Sequence, residues 1–208
     1  LIYQPPKDKT VYNLETAWDM AQARLRAADI ARQCLHSGAL PQTDGSVQLY
    51  YVNQPCSIVP ATGEVLPPAL SLREKILILH YFTRAAGSPA AGKQITFRDL
   101  PGGLVYYPTF VKRTIQPLVN AFGKNAPMLV KAGKNLGARP GEIGDASLII
   151  DVFPRVPVHL ILWAGDEELT PDLNLLLDAN ILDYLESEDV TIACEIITWR
   201  LVNAIKKA

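Results

Sequence analysis

Residues 146–168 read ASLIIDVFPRVPVHLILWAGDEE, and how this stretch folds decides the architecture. Leu148–Phe153 and Val156–Trp163 are two β-rich runs on either side of a Pro154-Arg155 break, the pattern of a hairpin that buries one face. The second run stops at Gly165 and three acids, so the hairpin is expected to carry Asp166, Glu167 and Glu168 to its rim.

Upstream of the hairpin, a Gly-rich connector spans Gly137–Gly144 and a short helix is expected from about Pro127 to Leu136. A further helix is predicted from Pro108, placed at the first helical position, through Phe122. Pro117 should kink or split it, and Gly123 should end it. Leu100-Pro101-Gly102-Gly103 reads as a flexible turn into Val105-Tyr106-Tyr107, after a short strand at Gln94–Phe97.

Ser71-Leu72-Arg73-Glu74 matches a capping box, in which the Ser and Glu side chains satisfy each other's orphan backbone donors. The helix it opens should run to about Ala86, with Gly87 as its stop. Leu72, Ile76, Leu79, His80 and Thr83 fall on one side, and Leu77 and Tyr81 widen the apolar stripe, which predicts a central helix covered on more than one side. Val47–Val52, Ser57–Val59 and Glu64–Leu66 read as a small antiparallel meander. Before it, Asn13 and Asp29 are expected to cap two helices, the second ended by Gly38, while residues 1–12 read as an extended arm.

Downstream, Leu169–Leu185 is read as turns with short helical pieces. Ser187-Glu188-Asp189 opens a last helix with the buried stripe Val190, Ala193, Cys194, Ile197, Leu201 and Ala204, and Lys206-Lys207 in its final turn. The expected fold is α+β: an antiparallel sheet, built from a meander and a central hairpin, packed with several helices in a single domain over residues 13–208.

Composition narrows the function classes. Hydrophobic residues make up 49% and charged residues 20%, the usage of a globular chain. A net charge of −1 gives no general attraction to nucleic acid or an anionic membrane, and no apolar run reaches the roughly 18 residues of a membrane span. Cys34, Cys56 and Cys194 are odd in number and widely spaced, which suits reduced thiols and a cytoplasmic location. The chain opens on Leu1 rather than Met, which leaves room for residues or a leader ahead of it.

Three groups of residues could carry chemistry. Asp166 and Glu167, with Asp145 entering the neighbouring strand, supply the clustered oxygens a hard divalent cation needs; the alternative is a solvated turn that protects the strand ends. His80, in the middle of an apolar helix, needs a hydrogen-bond partner or a metal, and could serve a haem or a corrinoid as an axial ligand. Tyr106, Tyr107 and Arg113 flank the predicted helix start at Pro108, where backbone N–H groups could receive an anion with Arg113 as a forked donor; the alternative is a structural turn. No nucleotide loop is present, and no Ser or Cys has a convincing base nearby in sequence: Cys34 and His36 are neighbours in a helix end, but residues two apart point to different faces.

Four segments together resemble one family: Leu72-Arg73-Glu74-Lys75-Ile76-Leu77-Ile78-Leu79-His80-Tyr81, Phe97-Arg98-Asp99-Leu100-Pro101-Gly102-Gly103, Phe153-Pro154-Arg155-Val156-Pro157-Val158 and Trp163-Ala164-Gly165-Asp166-Glu167-Glu168. They are similar to a prokaryotic domain of unknown function found mainly in anaerobic bacteria and archaea, over about Ala17 to Leu201. Some members of that family resemble, or are joined to, iron–sulfur proteins, and their setting suggests corrinoid or one-carbon metabolism. The resemblance therefore implies a cofactor-linked accessory role, with an iron–sulfur or corrinoid protein as partner. This chain lacks the closely spaced cysteines of an iron–sulfur ligand set.

The leading expectation is a non-catalytic ligand- or cofactor-binding accessory domain that takes a tetrapyrrole, with His80 as the axial contact. Two alternatives stand beside it: a divalent-metal enzyme acting on an anionic small molecule, and a protein-interaction module.

Overall fold

The computed structural model describes residues 14–205, which form two antiparallel sheets and seven α-helices. The expected arm at 1–12, the Asn13 cap and Lys206-Lys207 lie outside those residues.

The hairpin is present. Strand β7 (Ala146–Phe153) pairs antiparallel with β8 (Val156–Trp163), with Leu148 opposite Leu160 and Ile150 opposite Val158. Alternation then sorts the side chains. Leu148, Ile150, Val152, Val158, Leu160 and Leu162 are buried on one face, while Ile149, Asp151, Pro157 and His159 are half-exposed on the other.

One element differs from the sequence reading. Residues 172–178, expected as turn and helical pieces, form a full strand, β9 (Asp172–Asp178), on the free edge of β8. Its run DLNLLLD is rich in Leu and has no β-branched residue, so its local preference is not strand-like. Pairing with β8 decides the matter, because it buries Leu173, Leu175 and Leu177 in line with the hairpin's apolar face. Two short strands, β5 (Gln94–Thr96) and β6 (Arg139–Pro140), complete the order β5-β9-β8-β7-β6. Edges of three and two residues, one closed by a proline, give a neighbouring chain little to pair with.

The meander is β1 (Leu40–Pro41), β2 (Val47–Tyr51), β3 (Gln54–Val59) and β4 (Glu64–Leu66), paired in that order. Val52 and Asn53 turn β2 into β3, both at positive φ (47° and 57°). A β-branched residue rarely tolerates that conformation. Val52 is held there because its N–H donates to the Val152 carbonyl (2.9 Å) and its side chain is wholly buried, so this turn fastens the small sheet to the large one.

Helix α1 (Leu14–Ala27) and helix α2 (Ile30–Ser37) precede the meander, α2 capped by the Asp29 side chain and closed by Gly38 in the left-handed region. Helix α3 (Leu72–Arg84) starts at the expected capping box and ends two residues before its expected end. Ile76, Leu77, Ile78, Leu79, Tyr81 and Phe82 are all buried, so it is a central helix. Tyr81 ties it to both neighbours: its ring stacks on Phe153 (centroids 4.0 Å apart) and its hydroxyl donates to the Ser37 carbonyl (2.6 Å).

Helix α4 (Gly103–Arg113) corrects a second expectation. It begins at Gly103, and Pro108 lies inside it rather than at its start. The carbonyl that Pro108 cannot serve belongs to Leu104, in an exposed first turn where water can satisfy it. The chain splits at Thr114 into helix α5 (Ile115–Phe122), which places Pro117 in the first turn of a new helix. Helices α6 (Ala126–Lys134) and α7 (Ser187–Ile205), together with α5, cover the apolar face of the large sheet. α6 lies very close: a Cβ on Gly133 would come within 2.5 Å of Leu148 Cδ1. Among the described residues, no helix is long and apolar enough to cross a membrane.

Candidate functional site

Helices α3 and α7 run antiparallel, and the seam between them is lined with charge. From one end to the other, Arg84 meets Glu186 (2.7 Å), His80 meets Asp189 (2.9 Å), Arg73 meets Glu195 (2.7 Å) and Glu74 meets Arg200 (2.8 Å). Arg113, from the last turn of α4, reaches the second oxygen of Glu195 (3.3 Å). Asp189 and Glu195 are each less than one-tenth exposed, although the other buried residues of their helix carry no charge. A carboxylate at such a position is costly unless a cation or a hydrogen-bond donor answers it; Glu195 has two arginines and Asp189 has the His80 ring.

His80 sits within the seam, between the Arg84 and Arg73 pairs. Its Nδ1 faces Asp189 Oδ1, and its side chain is 21% exposed. A neutral imidazole that donates Nδ1–H to the carboxylate keeps its lone pair on Nε2, which has no hydrogen-bond partner among the described residues. A carboxylate behind an imidazole fixes the tautomer and the ring orientation and makes the outer nitrogen a better ligand.

Two of the four predicted cofactor-binding residues, His80 and Arg113, contact α7 directly. Tyr106 is on α4, where burial raises its hydroxyl pKa and the Glu195 charge adds to the rise. Tyr107 has a different role: the Arg98 guanidinium lies 3.9 Å above its ring. The anion site once expected at a Pro108 helix start has no helix start there, and Arg113 is committed to Glu195.

The acids of the hairpin rim stay at the strand end. Asp145 accepts the Ala164 N–H (2.7 Å), two residues before Asp166, so the two do occupy one region. Asp166 Oδ1 accepts the N–H groups of Glu168 and Leu169 (2.8 Å each), and these bonds hold its pKa below the ordinary aspartate value. Glu167 is exposed. Among the described residues, no group of three or more His, Cys, Asp or Glu side chains could hold a metal ion.

The thiols fit no cluster either. Cys34, Cys56 and Cys194 are buried on α2, β3 and α7, and burial pushes Cys56 and Cys194 up to about 12, so both stay protonated. His159 sits on the open face of the sheet, where Gln94 donates to its Nδ1 (2.9 Å). Its pKa is lowered by burial and then by Arg139.

Sequence reasoning missed Asp189 as the partner of His80 and missed Glu195 altogether. The available signal was Glu195 itself, a charge beside the apolar stripe of the last helix, which had to be paired.

The fold and the seam define an α+β domain that carries one carboxylate-backed histidine at a helix–helix surface. The chain belongs to the family described as Domain of unknown function (DUF3786), whose model matches residues 29–200. No curated protein and no solved structure matches it.

Proposed function

We propose that the chain is a non-catalytic, cofactor-binding accessory domain in which His80 gives the axial contact to the metal of a tetrapyrrole, either a corrinoid or a haem. One observation carries this reading: the His80 ring is held through Nδ1 by Asp189 at 2.9 Å, which leaves Nε2 unpartnered on a side chain that is one-fifth exposed. A macrocycle also needs apolar surface, and exposed apolar side chains are present on the first turns of α4 at Leu104, Val105 and Tyr106. The bound group would supply the redox or alkyl-transfer chemistry. The residues of this chain would bind and orient it, with Asp189 setting the donor strength of His80.

The resemblance to a family of anaerobes with iron–sulfur relatives favours a cytoplasmic role beside an iron–sulfur or corrinoid partner in anaerobic metabolism. With no cluster ligand set among the described residues, an iron–sulfur centre would belong to a partner or to a segment outside these 208 residues. The test is a titration of the protein with hemin and with aquocobalamin, followed by absorption. A shifted band is expected that His80→Ala abolishes and Asp189→Asn weakens by roughly tenfold or more. Absence of a shift with either compound, or a shift that survives His80→Ala, overturns the reading.

A further inference from the structure

The net charge of −1 conceals an uneven distribution. From Leu100 to Gly141 the chain has six basic side chains (Lys112, Arg113, Lys124, Lys131, Lys134 and Arg139) and no Asp or Glu. Arg113 and Arg139 reach carboxylates from other parts of the chain, Glu195 and Asp151. The four lysines are exposed, and none has a salt bridge among the described residues.

This basic stretch opens on an apolar tip. Val105 is 88% exposed, more than any other large hydrophobic residue described, and Leu104 is 72% exposed. Tyr106 follows them and is exposed as well. Successive helical residues point about 100° apart, so three exposed in a row leave the first turn of α4 clear of the domain over more than half its circumference. On the remaining side the turn is anchored. A Cβ on Gly103 would meet the Phe97 carbonyl oxygen, and Phe110 stacks on Phe97 with centroids 4.2 Å apart. Gly102 gives no side-chain cap, so the first N–H groups of the helix are left open at the same end.

We infer that the first turn of α4 is a docking tip for an anionic lipid surface, with Leu104, Val105 and Tyr106 entering the bilayer interface and Lys112 meeting the headgroups. Val105, Pro108 and Lys112 follow at i, i+3 and i+7 on the exposed side of the helix, which sets Lys112 about 10 Å above Val105 along its axis. Interfacial helices sink about 5–10 Å, so that spacing brings the ammonium level with the phosphates. Tyrosine suits the same layer, and open N–H groups at a helix start suit phosphate oxygens. The acid nearest in sequence, Asp99, is committed to the Thr96 N–H and hydroxyl.

Other occupants fit less well. Exposure round most of one turn suits a fluid that surrounds the tip, whereas a protein pocket selects one shaped face. Three side chains are too few for the roughly 800 Å² per partner of a stable dimer. The inference does not rest on the tetrapyrrole reading.

The probe is a set of sucrose-loaded vesicles of phosphatidylserine, with phosphatidylcholine vesicles for comparison, read by co-sedimentation of the full chain at low salt. Saturable binding to phosphatidylserine and much weaker binding to phosphatidylcholine are expected. The double variant Leu104→Ser with Val105→Ser should weaken binding about tenfold or more, as loss of two inserted apolar side chains does. Lys112→Glu should weaken it about fivefold or more, and raising salt to about 0.5 M should weaken it further. All three positions are exposed, so these variants keep the fold, which circular dichroism checks. His80→Ala should leave vesicle binding unchanged. Absence of binding to phosphatidylserine, equal binding to phosphatidylcholine, or undiminished binding by the double variant overturns the inference. So does a dimer in light scattering that the double variant turns into a monomer, because a second copy would then cover the tip.

Discussion

Two regions of this molecule are rich in carboxylates, and they use them in opposite ways. At the end of β8, Asp166 is answered by backbone N–H groups in an exposed turn, and Glu167 and Glu168 face solvent. Along α7, Asp189 and Glu195 are nearly enclosed, and each is answered by a cationic or protonatable side chain from another helix. Three acids in a row stand out in a sequence, yet high-dielectric surroundings make each one energetically modest. The two buried acids on α7 stand where desolvation is expensive, so they fix which side chains of α3 and α4 must face them.

If this contrast is real, the largest loss of stability should follow Glu195→Ala. Removing this carboxylate takes away the ion-pair partner of Arg73 and one partner of Arg113 at a partly buried helix junction, and removal of one partner of such a cluster costs about 3 kcal/mol. Urea denaturation at pH 7 measures it. A loss no greater than that of an ordinary surface substitution would show that water reaches Glu195 and would dissolve the distinction between the two regions.

Glu74 sharpens the comparison through pH. Burial raises its pKa, but hydrogen bonds from Arg200 and Ser71 outweigh burial and leave it below the ordinary 4.5. A carboxyl depressed by folding stabilises the native state above its unfolded value, and that contribution is lost as pH falls through the folded value. Glu74→Gln should therefore cost about 2 kcal/mol at pH 7. The gap between wild type and variant should shrink as pH falls from 4.5 downward. Melting curves across that range test it, and a gap that stays constant would mean that Glu74 acts by shape alone.

Local chemistry explains which parts of this arrangement were legible in the sequence. The β7–β8 hairpin was readable because β-branched residues flank a two-residue break, and α3 because a capping box precedes a stripe too wide for one buried face. The strand β9 was not, because its Leu-rich run has no strand preference until β8 is beside it. The α4 start was misplaced because a proline that suits a first turn also survives inside a helix when the carbonyl it abandons is exposed. His80 was legible as a polar group that needed an answer. Asp189, 109 residues away, was not, because which turns of two helices meet is a property of packing.

The smallest effect should follow Asp166→Asn. The amide oxygen can still accept from the Leu169 and Glu168 N–H groups, so the variant removes charge and keeps the turn. Its melting temperature should stay within about 2 °C of wild type. Asp166→Ala separates the two contributions further, since it removes the acceptor as well. Hydrogen exchange at Glu168 and Leu169 should quicken in the alanine variant alone, while the β8 amides, paired on both edges, keep their protection. A loss in Asp166→Asn as large as that in Glu195→Ala would mean that the rim charge itself supports the fold. The β8 turn and the α7 seam would then be two instances of one device, not opposites.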